Sequence, residues 1–114
     1  MLKFTIKNAY YGGKTVGYLY YDEQKKEYEI EIPEKVKIHE APFIISDFIR
    51  KNQRRTGKEW SYRWVCQRVT PPKRQNIGQI LKVNHMTEYD EFQFLVKNEG
   101  RSCQDECYIV QEVR

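Results

Sequence analysis

Glu27-Tyr28-Glu29-Ile30-Glu31-Ile32-Pro33 settles the first third of the chain. Tyr28, Ile30 and Ile32 alternate with three glutamates, the period-2 signature of a strand with one apolar and one wet face. Pro33 ends it, because proline cannot donate to a ladder. Moving back along the chain, Asp22-Glu23-Gln24-Lys25-Lys26 is a polar turn, and Thr15 to Tyr21 is rich in β-branched and aromatic residues, a second strand. Gly12-Gly13 supplies the positive φ of a tight turn. Leu2, Phe4 and Ile6 alternate with polar residues in a strand before it. These three segments predict an antiparallel meander.

The rest reads as helical until the end. Val36–Ile38 has the composition of a short strand in a connection. Pro42 to Arg55 places Ile45, Phe48, Ile49 and Asn52 at helical spacing, with Ser46 or Asp47 as a cap and Gly57 as the stop. Trp60 to Val69 fits both periods: Trp60, Trp64 and Val65 share a helical face, while Tyr62, Trp64 and Cys66 share a strand face. Pro71-Pro72 breaks it. Arg74 to Val83 predicts a helix with Ile77, Ile80, Leu81 and Val83 inward and close packing at Gly78. A last helix starts at Thr87 with Asp90 three residues on, carries Tyr89, Phe92, Leu95 and Val96 on its stripe, and stops at Gly100. Tyr108-Ile109-Val110 closes the chain as a strand, expected over Cys107–Val113. The expected fold is α+β: a curled antiparallel sheet, made of the N-terminal meander plus the C-terminal strand, packed with two to four short helices, the 74–99 helices on one face. The partial burial expected for Tyr18, Tyr20, Tyr28, Ile30 and Ile32 is what calls for that cover.

The chain has 114 residues, which predicts one domain over 1–114. Aromatics at 14% are too many for a disordered chain, and charged residues at 32% are too many for a membrane protein. No apolar run reaches the roughly 18 residues of a spanning helix, and the alternating start is no signal peptide, so a cytoplasmic protein is expected. Three cysteines, Cys66, Cys103 and Cys107, fit that compartment as packed thiols. Cys103 and Cys107 are four apart, but a structural zinc needs four ligands, and His39 and His85 are remote in sequence. No metal and no cofactor is expected.

Chemistry is absent as well. Gly12-Gly13 and Gly17 make no phosphate loop, and no HExxH, GxSxG or kinase catalytic-loop pattern occurs. Acidic pairs such as Glu29/Glu31 and Asp105/Glu106 fall on a strand face and a turn. The expectation is a protein that is not an enzyme and acts by binding.

Charge is uneven. Residues 1–49 carry seven Lys/Arg and eight Asp/Glu, residues 50–74 nine and one, and residues 75–114 four and seven. The basic middle reads either as a footprint for an anionic partner or as a solvated face. Within it Lys58, Trp60, Tyr62, Arg63, Trp64, Arg68, Lys73 and Arg74 are the candidate partner-binding residues, because Trp, Tyr and Arg dominate interface hot spots. Trp64 is expected in the core, and the more exposed aromatic is expected to be the anchor. The same interleaving suits stacking on nucleic acid, so a nucleic-acid-binding module built on 50–74 is the alternative function.

The motifs also resemble the N-terminal subdomain of HipA-type serine/threonine kinases, a bacterial family. The resemblance is carried by Gly12-Gly13-Lys14-Thr15-Val16-Gly17 after the first strand, the Pro71-Pro72 break, the Arg74 to Leu81 helix, Tyr89-Asp90-Glu91-Phe92-Gln93-Phe94-Leu95-Val96, and Gly100-Arg101-Ser102-Cys103. Gln104-Asp105-Glu106 and Arg68-Val69-Thr70-Pro71-Pro72 depart from the family's usual residues. A chain that stops where the kinase lobes would begin looks like a HipS-like small subunit of a split toxin–antitoxin system. The resemblance implies a partner, a HipA-like kinase subunit that this chain binds and restrains as an antitoxin, with nucleic acid engaged only within a larger complex and no membrane.

Overall fold

The structure, a computed structural model, describes residues 1–112, with Phe43 described by its backbone alone. Strands β1 (Leu2–Asn8), β2 (Lys14–Asp22), β3 (Glu27–Glu31) and β4 (Cys107–Gln111) form one open antiparallel sheet in the order β3-β2-β1-β4. The meander and the C-terminal strand are therefore as the alternation predicts; the expected extension of β4 to Val113 lies outside the described residues. Helices α1 (Phe43–Arg50), α2 (Gly57–Cys66), α3 (Ile77–Val83) and α4 (Glu91–Lys97) complete an α+β fold.

Alternation decides the faces. Phe4 and Ile6 of β1, Leu19 and Tyr21 of β2, Tyr28 and Ile30 of β3 and Ile109 of β4 are buried on one face. The intervening Lys3, Thr5, Tyr18, Tyr20 and the β3 glutamates stay half-exposed on the other. The three apolar residues of the opening stretch are thus fully buried, not partly, and only Tyr18 and Tyr20 remain half-open. A bulge between Ile6 and Lys7 inserts Val16 into β2. Val16 is fully buried beside Gly17, where a Cβ would meet Ile6 Cδ1 at 3.4 Å and Ile30 Cγ2 at 3.6 Å.

The cover comes from α1, α2 and α4, through Ile44 and Ile45, Trp64 and Val65, and Leu95. Tyr21 sandwiches between Tyr28 (4.8 Å) and the stacked ring of Phe92 (4.0 Å), which stands edge-on to Phe4. This corrects the assignment of the cover to residues 74–99: α3 buries no residue, and Val83, expected inward, is 77% exposed. Gly78 has nothing within 4 Å of a would-be Cβ, so no close packing explains it.

Several boundaries also move. Val36 is buried in a loop, and Ile38–Glu40 is a 3-10 turn, not a strand. Helix α1 begins after Pro42, with Ser46 inside it donating its N–H to the Pro42 carbonyl. Gly57, expected to end a helix, starts α2 at φ +79°. The ambiguous 60–69 stretch is helical through Cys66. Asp90, not Thr87, caps α4, accepting from the Phe92 N–H at 3.0 Å.

One edge of the sheet is closed. Along β3, Ile32 N–H donates to the Arg54 carbonyl (2.7 Å), Thr56 N–H to the Ile30 carbonyl (3.1 Å), and Ile30 N–H to Ser61 Oγ (3.0 Å). Ser61 Oγ lies 2.6 Å from Thr56 Oγ1, so a hydroxyl pair at the start of α2 finishes the β3 ladder.

Candidate functional site

Helix α2 carries most of the candidate residues, and its period sorts them. Ser61, Trp64 and Val65 face the sheet and are fully buried. Trp60 and Tyr62 are two positions apart, about 200° round the helix, so they leave on opposite flanks. They do not form one aromatic surface.

On the first flank, Trp60 is 42% exposed and edge-on to Phe48 of α1, ring centroids 6.1 Å apart. Arg63 lies one turn on, its guanidinium 4.7 Å from the indole ring while it pairs with Glu59 at 2.9 Å. An exposed indole is thus held from two sides without being covered. Phe48, half-buried, was not singled out in the sequence; its position in the helical stripe of 45–49 gave only a core reading.

On the second flank, Tyr62 is 46% exposed, and its phenol is hydrogen-bonded to Cys66 and Glu91, which hold its pKa above the ordinary value. Burial, with Asp90 nearby, raises the Glu91 carboxyl, and burial raises the Cys66 thiol. Lys58, exposed, pairs with Glu27 at 2.7 Å, and a hollow of about 270 Å³ lies between Lys58, Tyr62, Tyr28 and Lys26. Glu91 went unnoticed in the sequence, where it is one more acid in a helix's first turn.

Two of the candidate contact residues cannot meet a partner. Trp64 is fully buried, as its expected core place requires, and Arg68 is 4% exposed. The Arg68 guanidinium lies 3.8 Å from the Trp64 ring centroid and donates to both Asp105 oxygens, at 3.0 and 2.6 Å, and to the Gly100 carbonyl at 3.3 Å. It is an internal pin between the end of α2 and the approach to β4. Lys73 and Arg74 are exposed on the α2–α3 connector, held by a turn from Pro71 to Arg74 and by the Tyr89 hydroxyl on the Thr70 carbonyl.

The positive charge of 50–74 is mostly spent inside the molecule. Arg50 and Lys51 pair with Asp47, Arg55 with Glu31, Lys58 with Glu27, Arg63 with Glu59 and Arg68 with Asp105. Arg54 donates to the Pro33 and Glu34 carbonyls. Only Lys73 and Arg74 of the nine cations have no partner among the described residues.

Cys103 is exposed, whereas Cys107 is buried and its thiol is pushed up to about 12 by burial and the Asp105 carboxylate. Among the described residues no group of three or more His, Cys, Asp or Glu is placed to hold a metal ion, and no helix is long and apolar enough to cross a membrane. A hollow of about 560 Å³ opens between the β2–β3 turn and the α3–α4 loop, where Asp90 is committed to capping α4. No protein-family model, curated protein or solved structure matches this chain.

Proposed function

We propose that the chain is a non-catalytic protein-binding module that docks a HipA-like kinase subunit through the Trp60 flank of α2 and holds that kinase in check. The observation that carries the docking surface is Trp60 itself: a 42% exposed indole, pre-set by Phe48 and Arg63. An indole already fixed in place loses little side-chain freedom on binding, which is what makes tryptophan effective at the centre of an interface. The Arg63 head beside it offers a planar set of donors to a carboxylate or a backbone carbonyl of the partner. The kinase as partner rests on the resemblance of the strand, turn and helix motifs to the HipA N-terminal subdomain. Tyr62 is the slightly more exposed ring, but its hydroxyl is engaged with Cys66 and Glu91, so Trp60 is the anchor.

The test is co-expression with a HipA-like kinase subunit, followed by affinity capture and a growth assay. A stable complex that suppresses the kinase's toxicity is expected. Trp60→Ala should weaken it by about 2 kcal/mol or more, roughly thirtyfold, with unchanged thermal unfolding. Absence of a complex removes the partner, and a complex indifferent to Trp60→Ala removes the surface.

A further inference from the structure

Helix α3 sits on the fold without burying any residue. At about 100° per residue its positions fall into two faces. Ile77, Ile80 and Leu81 share the inner face and are half-buried. Gly78, Gln79, Lys82 and Val83 share the outer face and are exposed, Val83 at 77%. Nothing lies within 4 Å of a would-be Gly78 Cβ, so the outer face is open there.

The charge around this helix has one sign. Residues 60–87 contain no Asp or Glu. Of the cations in that stretch, Arg63 and Arg68 are paired with Glu59 and Asp105. Lys73, Arg74 and Lys82 are exposed, and their side chains have no partner among the described residues. The Arg74 carbonyl accepts from the Ile77 N–H at 3.0 Å, so Lys73 and Arg74 are tied to one end of α3, while Lys82 lies in its last turn. The next acid along the chain, Glu88, lines the hollow beside the β2–β3 turn. Three unspent cations with no acid among them suit an anionic partner.

We infer that the outer face of α3 enters the major groove of duplex DNA, with Lys73 and Arg74 on the phosphates beside it. Composition selects among anionic partners. A protein interface is anchored by aromatic and apolar side chains, and a membrane needs an apolar face to enter it, whereas the outer face offers Val83 alone. Single strands are held by stacking on aromatic rings, and residues 65–88 contain no Phe, Tyr or Trp. A duplex asks for cations and side-chain amides on a protruding element. A helix with its side chains is about 10–12 Å across, and the major groove of B-DNA is about 12 Å wide. The major groove of an RNA duplex is too deep and narrow to be read this way. Gln79 presents an amide suited to adenine, Lys82 an ammonium suited to guanine, and Val83 an apolar surface suited to the thymine methyl. Gly78 adds no side chain to hold the groove off. The inference is independent of docking at Trp60, which lies on α2, and adds a second partner to the module.

The experiment titrates the full chain into a labelled random-sequence DNA duplex of about 20 base pairs, two helical turns, at salt from about 50 to 200 mM. Tighter binding to the duplex than to single-stranded DNA or double-stranded RNA of the same length is expected. The log–log salt slope should be about −2 to −3, since each neutralised phosphate contributes about −0.9. Lys73→Gln with Arg74→Gln should weaken binding about tenfold and flatten the slope by about two. Val83→Asp, at an exposed position, should abolish binding by placing an acid on the outer face alone. Arg50→Gln with Lys51→Gln removes the same charge from cations already paired with Asp47, and should leave binding unchanged. The inference is overturned if the duplex is not bound at the lower salt, or if the single strand or the RNA duplex binds as well. It is overturned equally if Val83→Asp has no effect, or if the Arg50 and Lys51 changes weaken binding as much as those at Lys73 and Arg74. Displacement by polyglutamate, at equal charge concentration, as effective as that by unlabelled duplex would also overturn it and assign the face to an acidic protein segment.

Discussion

Arg68 and Asp105 join chain segments 37 residues apart, and their burial is unequal: the Arg68 side chain is fully buried and that of Asp105 is 20% exposed. The inequality makes the two partners differently costly to lose. Asp105→Ala leaves a guanidinium buried with only the Gly100 carbonyl to accept from it, which should cost about 3–5 kcal/mol. Arg68→Met removes the buried charge, and Met can lie on Trp64 in its place. Asp105 can then hydrate at the surface and still accept from Cys107 N–H. Chemical denaturation should rank Asp105→Ala clearly below Arg68→Met; the reverse order would mean that the bridge is not the pin described. In the sequence Arg68 is one of nine cations in a basic stretch, and nothing local marks it as buried. Its partner comes from a distant turn, and pairing across such a separation leaves no trace in spacing.

At the scale of elements, three helices end the same way, and neither Gly57 nor Gly100, the expected stops of the first and the last of them, takes the closing position. After α1, α3 and α4 the residues Asn52, His85 and Glu99 take φ of +58°, +58° and +56°. In each case the next N–H reaches back five residues, to Phe48, Leu81 and Leu95 carbonyls at 2.8, 2.8 and 2.9 Å. These are Schellman closures with non-glycine residues in the left-handed position. Gly100 sits one position later, where φ is +66° and a Cβ would come within 2.9 Å of Ile109 Cγ2. Gly78, by contrast, is an ordinary helical position with open space around it. Gly78→Ala should therefore stabilise by about 0.5–1 kcal/mol, and Gly100→Ala should destabilise by about 1–3 kcal/mol, both read from denaturation midpoints. A destabilising Gly78→Ala would show that α3 packs more tightly than this. The strands were legible because each carries its own alternation and its own turn residues. The helix ends were not, because glycine as a stop signal reports a preference, and these closures tolerate Asn, His and Glu where the following contacts hold them.

For the molecule as a whole, legibility followed the same division. The meander and the closing strand could be read from patterning, whereas the place of that strand beside β1 and the split of the 58–74 aromatics onto opposite flanks needed the fold to be known first. The structure also sets the two ends of the sheet in opposite electrostatic states. At one end Glu40, 7% exposed, accepts from Lys14 Nζ and from the Lys37 N–H, while its own carbonyl accepts from Asn8 Nδ2. It ties the 3-10 turn to both β1 and β2. The hydrogen bond to Lys14, then that to Lys37, holds its carboxyl below the ordinary range. At the other end burial holds the Glu91 carboxyl above that range. The signs follow from linkage. Glu40 binds its proton less readily folded than unfolded, so its stabilisation is present above its unfolded pKa and is lost as pH falls through the folded value. Glu91 binds its proton more readily when folded, so its cost is present at neutral pH and is relieved on acidification. Acid should therefore loosen the 37–41 turn before the start of α4. Amide protection measured at pH 6 and at about 3.5, below the usual glutamate range, should fall at Glu40 and Ala41, which donate within that turn, and hold across 94–97. Glu40→Gln should lower the thermal midpoint at neutral pH, by a deficit that narrows as pH falls and the wild-type carboxylate takes up its proton. An equal deficit at both pH values would show that shape, and not the carboxylate's charge, holds this end together.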